Sequence, residues 1–323
     1  MTTILVTGIT GFVGKALVAG LSQSYRVIGT YHDTKPFDGE YSLDEYRHMD
    51  LEDDAEVSSV CNDIRADVLI HAAAVTERST IPAHSRRYQK INGDGTARLA
   101  RHAGTANPRV HFIYLSSVDV YGDVPGTMPV GEDHFCMPTT EYGKSKYRGE
   151  KEVLSLCNED LLQAMTICRL APLYDSSDTR ILRRRVMAPA VDMFVRYGSG
   201  GQMFSALALP NLVAFISFLL QSGNAAGVNT YNVCDERPYR FRDVCDVLRR
   251  SRKTGKAYCV PLPSGPAYAG IVLAGLIWPR RKQWFRSSYG KLYSDRVFDC
   301  GRMRQTGFTP PHSLTSLVSQ ECA

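Results

Sequence analysis

The run Thr7-Gly8-Ile9-Thr10-Gly11-Phe12-Val13-Gly14 narrows the choice of fold more than any other part of the chain. It follows the apolar stretch 4–7 and opens a segment, 12–21, whose apolar residues recur at helical spacing. Each of the three glycines between strand and helix answers a separate need. Gly8 permits a tight turn, Gly11 lets the backbone approach a pyrophosphate, and Gly14 lets helix and strand pack closely. The helix N-terminus then presents unpaired N–H groups and a partial positive charge to phosphates. A Gly-rich triplet alone is weak evidence, but between a strand and a helix it is strong. Gly8, Thr10, Gly11, Phe12, Val13 and Gly14 are therefore candidate dinucleotide contacts.

Beyond this loop, strand-like and helix-like stretches alternate. Strands are expected over 26–31, 68–71, 111–116 and 165–169, and helices over 53–64, 86–104 and 142–157. Repeated strand–helix units make a doubly wound α/β domain with a parallel sheet. After Pro172 the rhythm breaks. Helices over 212–221 and 241–250, a short strand at 231–233 and a Pro-rich stretch near 261–266 read as a smaller, mostly helical substrate-binding cap. The expected division is 1–172 and 173–323, with a brief return to the sheet near 229–235.

Charge and cysteines limit the partners. A net charge of +5 suits anionic small ligands but, with no base-reading motif, not nucleic acid. The nine cysteines stand singly, without a Cys-x-x-Cys pair or a Cys/His cluster at zinc spacing. No metal site is expected, and free thiols fit a reducing, cytoplasmic setting. The N-terminus runs straight into the first strand, without a basic leader or cleavage site. The apolar run 267–278 is too short to span a bilayer, which takes ~20 residues. Beside Trp278, Trp284, Arg280, Arg281 and Lys282, it reads as a buried cap helix, a homodimer contact or, at most, a peripheral membrane contact.

The strand at 26–31 leads into Tyr31-His32-Asp33, where an acidic residue commonly binds the adenosine ribose. Tyr31 and His32 stand at that place and are candidate cofactor contacts. Asp33, two residues late, is either a ribose ligand or a turn former. NAD and NADP both stay open as cofactors.

Tyr142 and Lys146 are four residues apart, hence on one helix face. A nearby ammonium favours the phenolate and suits the tyrosine to proton transfer. Ser117, at the carboxyl end of a strand, is placed to hold a substrate oxygen.

Taken in order, 7–14, Asp50-Leu51, His71-Ala72-Ala73-Ala74, Asn92, Leu115-Ser116-Ser117, Val120-Tyr121-Gly122 and Tyr142…Lys146 resemble the extended short-chain dehydrogenases/reductases. They look most like the NAD-dependent epimerase/dehydratase family, over about residues 1–175. The resemblance implies a Rossmann domain, a Tyr142 base with a Lys146 helper, a Ser117 partner and often a nucleotide-sugar substrate. It also implies that Asp50 meets the adenine amino group and Leu51 packs on that ring. Ala72, Ala73 and Ala74 would line the dinucleotide, Asn92 would support the active-site helix or the cofactor, and Pro172 would border the nicotinamide. Read without the family, Asp50 could cap the helix near 53, and His71 could be a satisfied core histidine.

Two departures narrow the reading. Dehydratases of this family carry Asp-Glu where this chain has Val118-Asp119, which argues against a 4,6-dehydratase and leaves Val118 as a candidate substrate contact. The stretch 202–211 lacks the arginine with which many members bind a diphosphate. Arg180, Arg183, Arg184 and Arg185 are candidate replacements, or else a solvated basic face. The leading expectation is an NAD(P)-dependent epimerase or reductase working through a 4-keto intermediate on a nucleotide- or lipid-diphosphate sugar. Alternatives are a dehydrogenase/ketoreductase of an apolar ring alcohol, such as a steroid or flavonoid, and a non-catalytic NAD(P)-binding regulator.

Overall fold

Strand β1 (Thr3–Thr7) buries Ile4, Leu5, Val6 and Thr7 almost completely, as a strand covered on both faces must. In the computed structural model, which describes residues 1–35, 43, 45–76, 86–124, 128–188, 193–223, 227–250 and 259–319, it is an interior strand of a seven-stranded sheet. β1 pairs in parallel with β2 (Arg26–Tyr31), which carries β3 (Glu45–His48) at the edge. On its other side it pairs with β4 (Val68–His71), followed by β5 (His111–Ser117) and β6 (Ala164–Leu170), all in parallel. β7 (Gly227–Val233) flanks β6, close to where a returning strand is expected. The order 3-2-1-4-5-6-7 reverses direction between β1 and β4, and ligands of such sheets sit outside the carboxyl ends at that reversal.

The helices follow from spacing and caps. α1 (Phe12–Leu21) buries Gly14, Leu17, Val18 and Leu21, a stripe at three- and four-residue steps. α2 (Asp54–Ile64) starts at Asp53, whose carboxylate accepts from the N–H groups of Ala55 and Glu56. The helix expected over 86–104 begins at Arg86, widens into a π-helical segment at Gln89–Gly95 and continues as α3 (Thr96–Ala106). α4 (Glu141–Asn158) is capped by Thr140, which accepts from Gly143 N–H. α5 (Leu209–Ser222) sets Val213 against Gly20 of α1, where a Cβ would collide.

Strand β3 carries no apolar alternation for a sequence reading to detect. It is Glu-Tyr-Arg-His, half exposed, with Glu45 and Arg47 ion-paired on the open edge.

Two compact units emerge. The first comprises 1–122, 135–170 and 213–232, and the second 123–134, 171–212 and 233–323. The chain thus crosses between units several times, and 213–232 belongs with the sheet unit, around the return expected near 229–235. The second unit combines helices with strands. Its strands are short: 207–208 lies beside 173–174, 203–204 beside 239–240, and Met193–Tyr197 between Cys259–Leu262 and 187–188. Tyr174, Phe194, Phe204 and Phe241 centre its own core.

Candidate active site

A cleft of about 310 Å³ opens at the carboxyl ends of β1, β2 and β4. Gly8, Thr10, Gly11, Tyr31, His32, Asp50, Leu51, Ala72, Ala73 and Ala74 line it together, all of them expected cofactor contacts. Phe12, Val13 and Gly14 do not line it. Gly14 works underneath, where a Cβ would run into the carbonyl of Gly8. Gly8 has φ +71°, and a Cβ there would stand 2.7 Å from Ala73 Cα. The fold itself therefore demands glycine at 8 and 14.

Gly11 is different. It is exposed with φ −79°, and a Cβ would meet only Gly8 O, at 3.2 Å. The open space above it is the cradle that a side chain would fill and a pyrophosphate would need. α1 begins there with no capping side chain and no acidic residue in its first turn, so its first N–H groups are free to face an anion.

At the adenosine end, Asp50 does not cap α2, because Asp53 does. Asp50 Oδ1 accepts from Glu52 N–H at 2.8 Å, and its own N–H donates to Glu56 Oε2 at 2.8 Å. Its Oδ2 lies 3.6 Å from His32 Nε2. Leu51 is buried in the core cluster as well as bordering the cleft. Asp33 and Arg87 also border it, 3.8 Å apart, so both an acid and an arginine stand where ribose or ribose phosphate would bind.

Behind the cleft runs a directed chain of hydrogen bonds. Ala73 N–H donates to Thr7 Oγ1 at 3.1 Å, which leaves the Thr7 hydroxyl to donate to His71 Nδ1 at 2.8 Å. His71 Nε2 then donates to Thr96 Oγ1 at 3.0 Å, and Thr96 donates to Asn92 O at 2.8 Å. This sequence of donors sets the Nε2-protonated tautomer. Burial, with the Lys146 cation adding to it, pushes the His71 pKa down to about 3. His71 is a satisfied, neutral core histidine.

Asn92 sits in the π-helical segment. Its Oδ1 accepts from Val75 N–H at 2.8 Å, and its Nδ2 donates to Val75 O at 3.0 Å and Ser145 Oγ at 3.2 Å. Ser145 donates to Tyr142 O at 2.8 Å. Asn92 thereby ties the loop after β4 to the first turn of α4, where Tyr142 stands.

Tyr142 meets the Tyr88 ring edge-on at 6.2 Å. One turn along, Lys146 is 2% exposed, its Nζ 4.4 Å from the Tyr114 ring centre. Burial lowers its pKa to about 7, against the opposing pull of Glu150. Ser117 ends β5, and its Oγ accepts from Asp119 N–H at 3.1 Å, keeping its hydroxyl proton to donate. Val118, the next residue, is buried.

Sequence reasoning missed the buried network beside these residues. Arg169 donates to the Glu150 carboxylate from Nε, to Oε1 at 3.1 Å and Oε2 at 3.2 Å, and from Nη2, to Oε2 at 2.8 Å, and Ser116 donates to Glu150 Oε1 at 2.6 Å. Arg169 Nη1 also donates to Tyr121 OH at 3.0 Å, and Tyr121 donates to Asn232 Oδ1 at 2.7 Å. The available signal was an arginine inside an apolar strand and an acid four residues beyond Lys146.

The remaining candidates fall in the second unit. Pro172 O accepts from Leu207 N–H at 3.0 Å. Arg180 is exposed, with its guanidinium already engaged by Asp178 at 2.5 Å, and Arg183 Nε donates to Thr179 Oγ1 at 3.0 Å. The side chains of Arg184, Arg185 and Trp284 lie outside the described residues. Among the described residues, no group of His, Cys, Asp and Glu could hold a metal ion.

Comparison with known proteins matches residues 4–234 to the model of the NAD dependent epimerase/dehydratase family. Methionine adenosyltransferase 2 subunit beta from Danio rerio is 30% identical over 157 residues, 48% of this chain and 44% of that protein. The dTDP-4-keto-6-deoxy-D-glucose reductase of Streptomyces niveus is 29% identical over 185 residues, 56% of each chain. The chain thus spans about half the length of the curated relatives it matches. Among solved structures, the UDP-glucose 4-epimerase of Thermotoga maritima with UDP-glucose shares the fold. Its TM-score is 0.74 at 20% identity, over 98% of both chains.

Proposed function

The chain belongs to the NAD-dependent epimerase/dehydratase family, and from that premise we propose that it uses NAD or NADP to modify carbon 4 of a diphosphate sugar, by epimerisation or 4-keto reduction. The carrying observation is Lys146, buried with a pKa of about 7 one helical turn from Tyr142, in the unit that holds the Gly11 cradle. A lysine titrating near neutrality one helical turn from a tyrosine suits that tyrosine to proton exchange with a sugar hydroxyl.

When bound, the nicotinamide gives or takes the hydride. The chain's own groups do the rest. Gly11 and the α1 N-terminus hold the pyrophosphate, and the Ser117 hydroxyl donates a hydrogen bond to the oxygen on the reacting carbon. Tyr142 takes or returns the proton of that oxygen, and Lys146 supports the charge on the phenolate. Asn92 fixes the turn that carries Tyr142. The sugar class is supported by the matched reductase, and Val118-Asp119, standing where dehydratases carry their acid pair, argues against dehydration.

The test is turnover of UDP- and dTDP-hexoses, or their 4-keto forms, with each cofactor. Tyr142→Phe should keep dinucleotide affinity while turnover drops about a hundredfold or more. A Phe variant as fast as the parent removes Tyr142 from the chemistry. Failure of any nucleotide sugar to bind the parent removes the substrate class.

A further inference from the structure

Helix α6 (Ser264–Ile277) has no charged residue, yet Gly275 is its only buried one. It folds back on α7 (Lys282–Tyr293) through the short turn Pro279–Arg281. Tyr268 meets Tyr289 at 5.4 Å, Trp278 meets Phe285 at 6.4 Å, and the stem of Lys282 lies beside Gly275. That contact covers one side of α6. On the other, Leu273, Leu276 and Ile277 are 59%, 70% and 58% exposed, and Trp278 at the tip is 55% exposed.

An apolar helix of this length, about 21 Å at 1.5 Å per residue, is usually either a buried core helix or an interfacial one. The exposure rules out the first. Charge then selects the occupant. Residues 259–294 contain Arg280, Arg281, Lys282, Arg286 and Lys291 and not one Asp or Glu. A second copy docking through this hairpin would bring a matching set of cations and no carboxylate from it to offset them. An anionic lipid surface complements both the cations and the apolar stripe.

We propose that the α6–α7 hairpin seats the protein on an anionic phospholipid surface. Leu273, Leu276, Ile277 and Trp278 enter the headgroup–acyl boundary, and Arg280, Arg281 and Lys282 rest on the headgroups. This is peripheral attachment, since among the described residues no helix is long and apolar enough to cross a membrane. It is independent of the proposed reaction.

Sedimentation of the full chain with vesicles tests it. The protein should bind vesicles of phosphatidylglycerol with phosphatidylcholine, bind phosphatidylcholine alone far less, and release as salt rises. Arg280→Gln and Arg281→Gln should each weaken binding roughly fivefold, the loss expected per basic residue at such a surface. Leu276→Ser with Ile277→Ser should abolish binding while thermal midpoint and dinucleotide affinity stay unchanged. Absence of vesicle binding, or equal binding to neutral and anionic vesicles, overturns the proposal. So does a concentration-dependent dimer that Leu276→Ser disrupts without any vesicle binding, which would assign the face to a second copy.

Discussion

Lys146 of α4 holds its side-chain nitrogen 4.4 Å from the centre of the Tyr114 ring of β5, and both side chains are buried. Tyr114 pairs with His71 across β5 and β4, and the two rings stack at 5.7 Å. The His71 ring therefore backs the Tyr114 ring against which Lys146 lies. The ring face and Glu150 compensate the charge only in part, which is why burial prevails and the pKa falls to about 7.

The sign of the resulting pH dependence is fixed. Between about 7 and the ordinary lysine value of 10.5, the folded protein binds fewer protons at Lys146 than the unfolded chain. The group's contribution to stability therefore rises with pH through that window, and below it the full cost of the buried charge is felt. Lys146→Met removes the cost. The variant should be at least as stable as the parent at pH 6, with its advantage shrinking by pH 9, while turnover falls about a hundredfold or more. Thermal melts at the two pH values check this, and an advantage that grew with pH would contradict it.

The glycines of the phosphate loop should separate by role. Gly14→Ala should lower stability, because its Cβ collides with the backbone of Gly8. Gly11→Ala needs only a small shift of Gly8 O, so the fold should survive while NAD(P)H affinity drops about tenfold or more. Fluorescence titration beside a thermal melt distinguishes the two. Undiminished binding by a folded Gly11 variant would take that residue out of the cradle.

What the sequence made legible follows its periodicity. α1, β2 and β4 occupy the spans that apolar spacing predicts, because each buries a face whose repeat is written in the residues. The loop residues of the cleft were legible because glycine positions and strand ends are local features. β3 and the two-residue strands of the second unit carry no repeat long enough to detect. The lone role of Asp53 as the α2 cap, rather than Asp50, turns on which carboxylate faces Ala55 and Glu56, a matter of backbone geometry. The Arg180 reading met the same limit, since its pairing with Asp178 depends on how the loop folds. Glu150 and Arg169 are 19 residues apart, and only the packing of α4 on β6 brings them together.

That pair supports the last prediction. Glu150 is fully buried and Arg169 nearly so. Burial works against the arginine cation, but the hydrogen bonds and charge of Glu150 outweigh it and hold the proton more firmly than usual. Removing one partner leaves the other charge buried without compensation, which costs about 3–5 kcal/mol. Glu150→Gln should therefore lower the denaturation midpoint strongly with an unchanged slope. Replacing both, Glu150→Leu with Arg169→Met, should cost less than the single change, because no orphaned charge remains. The network also holds Ser116, the neighbour of Ser117, and Tyr121, so the double variant should recover stability better than turnover. Urea titrations of the parent, single and double variants give the ordering. A double variant less stable than Glu150→Gln would show that the pair contributes net stability rather than mutual compensation.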